Sequence, residues 1–336
     1  MKPVIFACAG ETLTAEEKAF FAAEQPAGII LFKRNVKNPE QASGLIRQIK
    51  SALGRSRVLI LVDQEGGRVQ RLGPPHWRRS LSARVYGNMA VEDADRAREA
   101  LRLSILSTGL ELRSLGITVD CLPVLDVPRA GSDEVIGDRA FSEDPAVVAD
   151  LGRVAADALI EAGVLPIIKH IPGHGRAKVD SHQSLPRVAA SLAELEANDF
   201  PPFRALTGLP MAITAHVVYE AIDPDNPATL SAKVIGDIIR GSIGFQGLLI
   251  SDDLSMGALS GDLAARATGA LAAGVDLALH CTGDMAEMQE IAAVLEPADD
   301  QITEKIGAAL QLIADPPEHD AQGIIERYND LMTAGV

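Results

Sequence analysis

Eight short runs rich in valine, isoleucine and leucine, at residues 4–9, 28–32, 58–62, 118–125, 165–168, 211–215, 248–250 and 275–279, are each followed by a polar loop and a longer stretch with helical spacing. Near-continuous apolar strands are what a parallel sheet covered on both faces requires, and the helices between them supply the crossovers. The helix boundaries agree. Asn38-Pro39 sets a cap and then a proline at the first helical position of a helix ending at Gly54, and Asp144-Pro145 repeats the device for one ending at Gly163. Ser191 with Glu194 reads as a capping box, and residues 14–23, 93–115, 231–240 and 262–273 supply further crossovers. The pattern predicts an α/β fold, a TIM (β/α)₈ barrel, with a doubly wound open sheet as the alternative. With no internal repeat and no proline- or serine-rich linker, the expectation is a single domain over residues 1–336. A helical tail, read at 284–295, 299–314 and 318–332, packs on the barrel.

Composition narrows the partners. The chain carries 46 acidic against 31 basic residues, a formal charge of −15, which argues against nucleic acid because phosphate binding draws on clustered Lys and Arg. No apolar run approaches the roughly 18–20 residues of a membrane span. Val4-Ile5-Phe6-Ala7-Cys8 follows a lysine but is too short for a secretion signal, so it reads as a buried strand. Cys8, Cys121 and Cys281 are odd in number, far apart and set in apolar runs, as reduced core cysteines of a cytoplasmic protein would be.

Polar residues cluster where the strands end. Asp63 follows the third run, Asp126 the fourth, Lys169 and His170 the fifth, His216 the sixth, Asp252 and Asp253 the seventh and His280 the eighth. Barrel active sites are built at the carboxyl ends of the strands, so this recurrence points to a site there.

The densest stretch is Lys169-His170-Ile171-Pro172-Gly173-His174-Gly175, followed by Asp180-Ser181-His182. Pro172, Gly173 and Gly175 rule out a helical zinc-binding face, and no metal or other cofactor is expected. Lys169 and His170 suit several hydroxyls of one ligand, whereas His174, between two glycines, reads equally well as structural. Asp180 and His182 share a loop without apolar neighbours, and a carboxylate beside an imidazole makes an acid–base group usable near neutrality. In Ser251-Asp252-Asp253, one residue suffices to cap a helix, and a carboxylate beyond a buried strand can serve as nucleophile. The run Asp63-Gln64-Glu65-Gly66-Gly67-Arg68 with Arg71 adds a carboxylate, a glycine pair and two arginines, and Arg139 adds a third. No phosphate-binding glycine motif occurs.

Together these motifs resemble the bacterial β-N-acetylhexosaminidases of glycoside hydrolase family 3, which trim N-acetylglucosamine from cell-wall muropeptides during peptidoglycan recycling. The resemblance rests on residues 63–72, 135–141, 169–182 and 249–256 and spans the whole barrel. One departure is Ile171, where the family usually has phenylalanine. The resemblance implies a nucleophile at Asp252, an acid/base histidine at His182 partnered by Asp180, and sugar-binding residues at Asp63, Arg71, Arg139, Lys169 and His170. The implied reaction is hydrolysis with retention, a histidine replacing the more usual acid carboxyl. The implied substrate is N-acetylglucosaminyl-anhydro-muropeptide, with no nucleic acid or membrane partner, and the chain is expected to be a monomer.

Rival readings are a glycoside phosphorylase on the same residues, a broader β-glycosidase, a carbohydrate-binding protein on an inactive barrel, and a metal hydrolase. Length bears on the choice. The surplus over a minimal barrel of about 250 residues falls in loops at 71–91 and 170–185, an insertion at 128–142 and the tail. With no room for a second domain to supply the acid, the barrel's own Asp180-Ser181-His182 loop is expected to provide it.

Overall fold

The computed structural model describes residues 1–181 and 183–333. Eight strands close into a barrel: β1 (Lys2–Ala7), β2 (Pro26–Leu31), β3 (Leu59–Val62), β4 (Val119–Asp120), β5 (Leu165–Ile171), β6 (Met211–Thr214), β7 (Leu248–Asp253) and β8 (Leu277–Leu279). Each pairs in parallel with the next, and β8 closes on β1 through Val4 beside Ala278 and Ile5 beside Leu279. The TIM barrel expectation is met, and the open-sheet alternative is excluded by that last pairing.

Alternate residues of each strand serve two cores, which is why the runs are apolar throughout. Ile5, Leu59, Leu61, Val119, Leu165, Ile167, Met211, Leu248, Ile250 and Leu277 fill the barrel interior. Val4, Phe6, Ile29, Ile60, Val62, Ile168, Ala212, Leu249 and Ala278 face the surrounding helices. Cys121, Ile213, Leu279 and Cys281 form the upper layer of the interior.

The capping residues act as read. Asn38 accepts from the Gln41 amide at 2.9 Å and Asp144 from Ala146 at 2.8 Å, while Ser191 and Glu194 form the reciprocal box. The helices Ala94–Leu115 and Pro145–Ala162 end at Gly116 (φ 93°) and Gly163 (φ 84°), left-handed conformations that favour glycine. The tail forms Met285–Val294, Asp300–Gln311 and Ala321–Thr333. The last of these lies on Ala94–Leu115, and its buried Tyr328 hydroxyl meets that of Tyr86, just before that helix, at 3.1 Å.

Five boundaries differ from the sequence reading. Lys169 and His170 lie within β5, and Asp252 and Asp253 within β7, because backbone pairing continues past the last apolar residue. The fourth run pairs regularly only at Val119–Asp120; beyond it the register shifts by one residue, the Ile167 and Lys169 N–H groups reaching the Leu122 and Pro123 carbonyls at 2.9 and 3.1 Å before a single bridge from Val124 to Lys169. The loop placed at 71–91 contains a helix, Ala83–Glu92. The crossover read at 231–240 is a wider-wound π-type helix at Val234–Ile243.

Candidate active site

The carboxyl ends of the strands surround a cavity of about 340 Å³, floored by Ile30, Cys121, Ile213, Leu279 and Cys281. Asp63, Arg71, Arg139, Lys169, His170, Asp180 and Asp252 all line it. Of the residues nominated from sequence, only His182 lies outside the described residues.

Asp63 is the first residue beyond β3. The chain then turns through a short hairpin pairing Gln64–Gly66 with Val69–Gln70. Gln64 fixes the return: its backbone N–H donates to Asp120 at 2.9 Å, and its side-chain oxygen accepts the N–H groups of Arg71 and Leu72 at 3.0 Å each. Arg71 is thereby brought back onto Asp63, Nη2 to Oδ2 at 2.8 Å. From β5, Lys169 reaches the other Asp63 oxygen at 2.9 Å and Glu65 at 2.6 Å. Arg139, from the 3₁₀ turn Gly137–Arg139, grips Glu65 with Nε and Nη2 at 2.8 and 2.9 Å.

The five charges alternate in sign along one wall: Arg71, Asp63, Lys169, Glu65, Arg139. Burial opposes ionisation of every buried member, but the neighbouring opposite charges outweigh it. Lys169 and Arg71 hold Asp63 well below the usual carboxylate range, and Arg139 and Lys169 bring Glu65 down to about 2. Lys169 and Arg139 are held protonated well above their ordinary values. Such an array presents fixed donors and acceptors to a polyhydroxylated ligand.

A second group surrounds Asp126, which is fully buried. One oxygen accepts the backbone N–H groups of His170 and His174 at 3.2 and 2.6 Å, and the other meets His170 Nδ1 at 2.7 Å. Burial opposes its charge, yet His170 and the N–H donors bring Asp126 down to about 2. Gly175 permits this fold-back: a Cβ there would stand 2.1 Å from the Val127 carbonyl. His174 is buried, its pKa pushed down to about 4 by burial and by His170, so it is neutral at pH 7. Its Nε2 lies 3.0 Å from the Ser181 hydroxyl, and the Ser181 carbonyl accepts the Ala258 N–H at 3.1 Å. The Asp180-Ser181 segment is thus tied to the cavity from two sides.

The structure separates the two carboxylates at the end of β7. Asp253 serves the local turn, accepting from Ser255 N–H at 3.0 Å, the Ser255 hydroxyl at 2.6 Å and Cys281 N–H at 3.2 Å. Asp252 accepts only its neighbour's N–H, at 2.9 Å, among the described residues. Burial opposes its ionisation, but His170, His216 and that N–H hold its carboxyl below the ordinary value.

Sequence reasoning left Glu65, Asp126 and Ser181 without roles, although each sits inside a quoted motif or at a strand end. Glu65 and Asp126 take their partners from Arg139, Lys169 and His170, far along the chain, so no local signal marks them. Among the described residues, no three His, Cys, Asp or Glu side chains converge as a metal site would require, and no helix is long and apolar enough to cross a membrane.

Residues 6–314 match the glycosyl hydrolase family 3 N-terminal domain. A beta-hexosaminidase of Alkalilimnicola ehrlichii is 42% identical over 83% of this chain and 80% of its own, and one of Bordetella avium 37% identical over 89% and 87%. The crystal structure of NagZ from Neisseria gonorrhoeae in complex with N-trifluoroacetyl-D-glucosamine superposes with a TM-score of 0.87 at 34% identity, covering 99% of this chain and 96% of that one. A barrel with a charged cavity at its carboxyl end is an enzyme architecture, and the family match makes this one a glycoside hydrolase: the chain belongs to glycosyl hydrolase family 3.

Proposed function

We propose that this family 3 enzyme, a β-N-acetylhexosaminidase like its named relatives, is a retaining exo-β-N-acetylglucosaminidase. In this reading Asp252 attacks the anomeric carbon while His182, oriented by Asp180, protonates the departing oxygen. Water then attacks the glycosyl–enzyme bond, giving its proton to His182 and releasing Asp252. Asp63, Arg71, Arg139, Lys169 and His170 hold the sugar. Arg139 keeps only part of its fork for a hydroxyl, since Glu65 and the Val135 carbonyl take three of its N–H groups.

The observation that carries the reading is the division of labour on β7. Asp253 is spent on the turn, whereas Asp252, held ionised, lines the same cavity as the hydroxyl-binding wall. A protein that only binds sugar needs no such carboxylate. The resemblance extends the reading to removal of terminal N-acetylglucosamine from muropeptides during peptidoglycan recycling, by a cytoplasmic monomer forming one barrel domain over residues 1–336.

Turnover of nitrophenyl N-acetyl-β-glucosaminide beside the matching glucoside tests it. The expected result is rapid release from the first and little from the second, with free sugar rather than sugar 1-phosphate as product in phosphate buffer. No activity on the first substrate overturns the reading.

A further inference from the structure

Behind the nucleophile candidate lies a polar circuit that does not line the cavity. Thr214 ends β6, His216 follows two residues later, and Thr229 lies in the 3₁₀ turn Ala228–Leu230. All three are fully buried. Burying three polar side chains beside a barrel wall is costly unless each is hydrogen-bonded.

The hydrogen-bond directions follow from the chemistry of the ends. His216 Nε2 stands 3.0 Å from the Asp253 carbonyl, which can only accept, so Nε2 carries a hydrogen. Burial holds the imidazole below its ordinary pKa despite the nearby Asp252 carboxylate, so at neutral pH its Nδ1 is an acceptor. The Thr229 hydroxyl, 2.7 Å away, donates to Nδ1. The Thr214 hydroxyl, 2.7 Å from that of Thr229, donates in turn. Thr214 then accepts the backbone N–H of Asp252 at 3.4 Å.

The circuit therefore begins at the carbonyl of Asp253 and ends at the amide of Asp252. The Asp253 N–H and three of the four carboxylate oxygens of this dipeptide are also engaged. The Asp253 N–H donates to Asp252 Oδ1, and the Asp253 carboxylate takes Ser255 and Cys281. Among the described residues, Oδ2 of Asp252 is the one carboxylate oxygen of the pair left without a hydrogen bond.

We propose that His216, Thr229 and Thr214 are positioning residues which clamp the Asp252–Asp253 backbone so that Asp252 Oδ2 faces the anomeric carbon, and that they thereby set the rate of glycosyl–enzyme formation. The proposal rests on Asp252 being the nucleophile. Reacting atoms displaced by about 1 Å lose on the order of 10²-fold in rate, so a clamp that never touches substrate acts on chemistry and leaves sugar affinity alone.

Thr229→Val, nearly isosteric, removes the central hydroxyl, and Thr229→Ser keeps it. For each variant, kcat/KM on nitrophenyl and dinitrophenyl N-acetyl-β-glucosaminides, the inactivation rate constant with a 5-fluoro-N-acetylglucosaminyl fluoride, the inhibition constant of N-acetylglucosamine and Tm are measured. Thr229→Val is expected to lower kcat/KM and the inactivation rate together by about 10–100-fold. The loss should be equal on both leaving groups, with the inhibition constant unchanged and a melting curve close to wild type. Thr229→Ser is expected to restore most of the rate. An undiminished inactivation rate, a parallel loss of N-acetylglucosamine affinity, or failure of serine to restore the rate overturns the clamp. If Thr229→Val does not fold, Thr214→Val breaks the same circuit one link later and carries the same expectations. A wild-type protein that turns over neither glycoside overturns the nucleophile assignment itself, whereas an active wild type with an indifferent Thr229→Val overturns the clamp alone.

Discussion

His170 gives its Nδ1 hydrogen to Asp126 across 2.7 Å, inside a barrel wall where that carboxylate has no access to water. Because a carboxylate only accepts, Nδ1 is the donor in this bond, which fixes the orientation of a ring that lines the cavity. Asp126→Asn removes the negative charge and can offer an N–H₂ at the same place, which weakens the hold on the ring. Affinity for N-acetylglucosamine is expected to fall about 10–100-fold, the size of effect seen when a buried carboxylate orients a functional histidine. An unchanged inhibition constant would show that His170 needs no carboxylate partner to bind sugar.

Lys169 binds two carboxylates at once, Asp63 and Glu65. Lys169→Met leaves each with a single arginine, and removing one partner of a buried charge network costs about 3 kcal/mol. Denaturant unfolding should show that loss, and Lys169→Met combined with Glu65→Gln should recover part of it. A double variant less stable than the single one would contradict the charge-pairing account.

Asp252→Ala is expected to abolish hydrolysis even of dinitrophenyl glycosides. Added azide, small enough to occupy the vacated space, should restore turnover and yield the α-glycosyl azide, identifiable by NMR. Substantial residual activity without azide removes the nucleophile role.

His182→Ala should slow poor leaving groups far more than good ones, because only the poor ones need a proton. Plotting log kcat/KM against leaving-group pKa measures this, with a steeper slope expected for the variant. Equal losses across the series would count against an acid role.

Asp120 is fully buried, and its Oδ2 has no hydrogen-bond partner. Burial pushes its carboxyl up to about 7 despite the Gln64 N–H and the nearby Lys169. The folded state therefore holds a proton that the unfolded chain has released across the window from about pH 4 to about pH 7. Stability from this group is present below that window and is lost as pH rises through it. Asp120→Asn cannot ionise, so its Tm advantage over wild type should grow between pH 5 and pH 8. An advantage independent of pH would mean that Asp120 does not titrate there.

The elements were legible where cause is local. Asn38, Asp144 and Ser191 cap helices within their own first turns, and the apolar runs became the barrel strands because a covered parallel strand must be apolar on both faces. The motif residues Asp63, Lys169, His170 and Asp252 stand out in sequence because each places a charge or imidazole just where an apolar run stops. Strand four was less legible, because its register shifts by one residue between Asp120 and Val124, which a run of apolar residues does not reveal. The helix at 83–92 follows Ser82, which makes no side-chain capping bond.

Sequence alone determined the period of the barrel, the capping of its crossovers and the list of chemically able side chains, since these follow from each residue's own propensity and nearest neighbours. Only the tertiary structure decided which of them work together. Glu65 becomes a cavity residue because Arg139 reaches it from 74 positions away, and Asp126 gains its role from a strand 44 residues further on. Asp252 is distinguished from Asp253 by Ser255 and Cys281, the latter brought alongside by β8. Adjacent carboxylates look alike in sequence, and the hydrogen bonds that tell them apart form only when distant strands close the barrel.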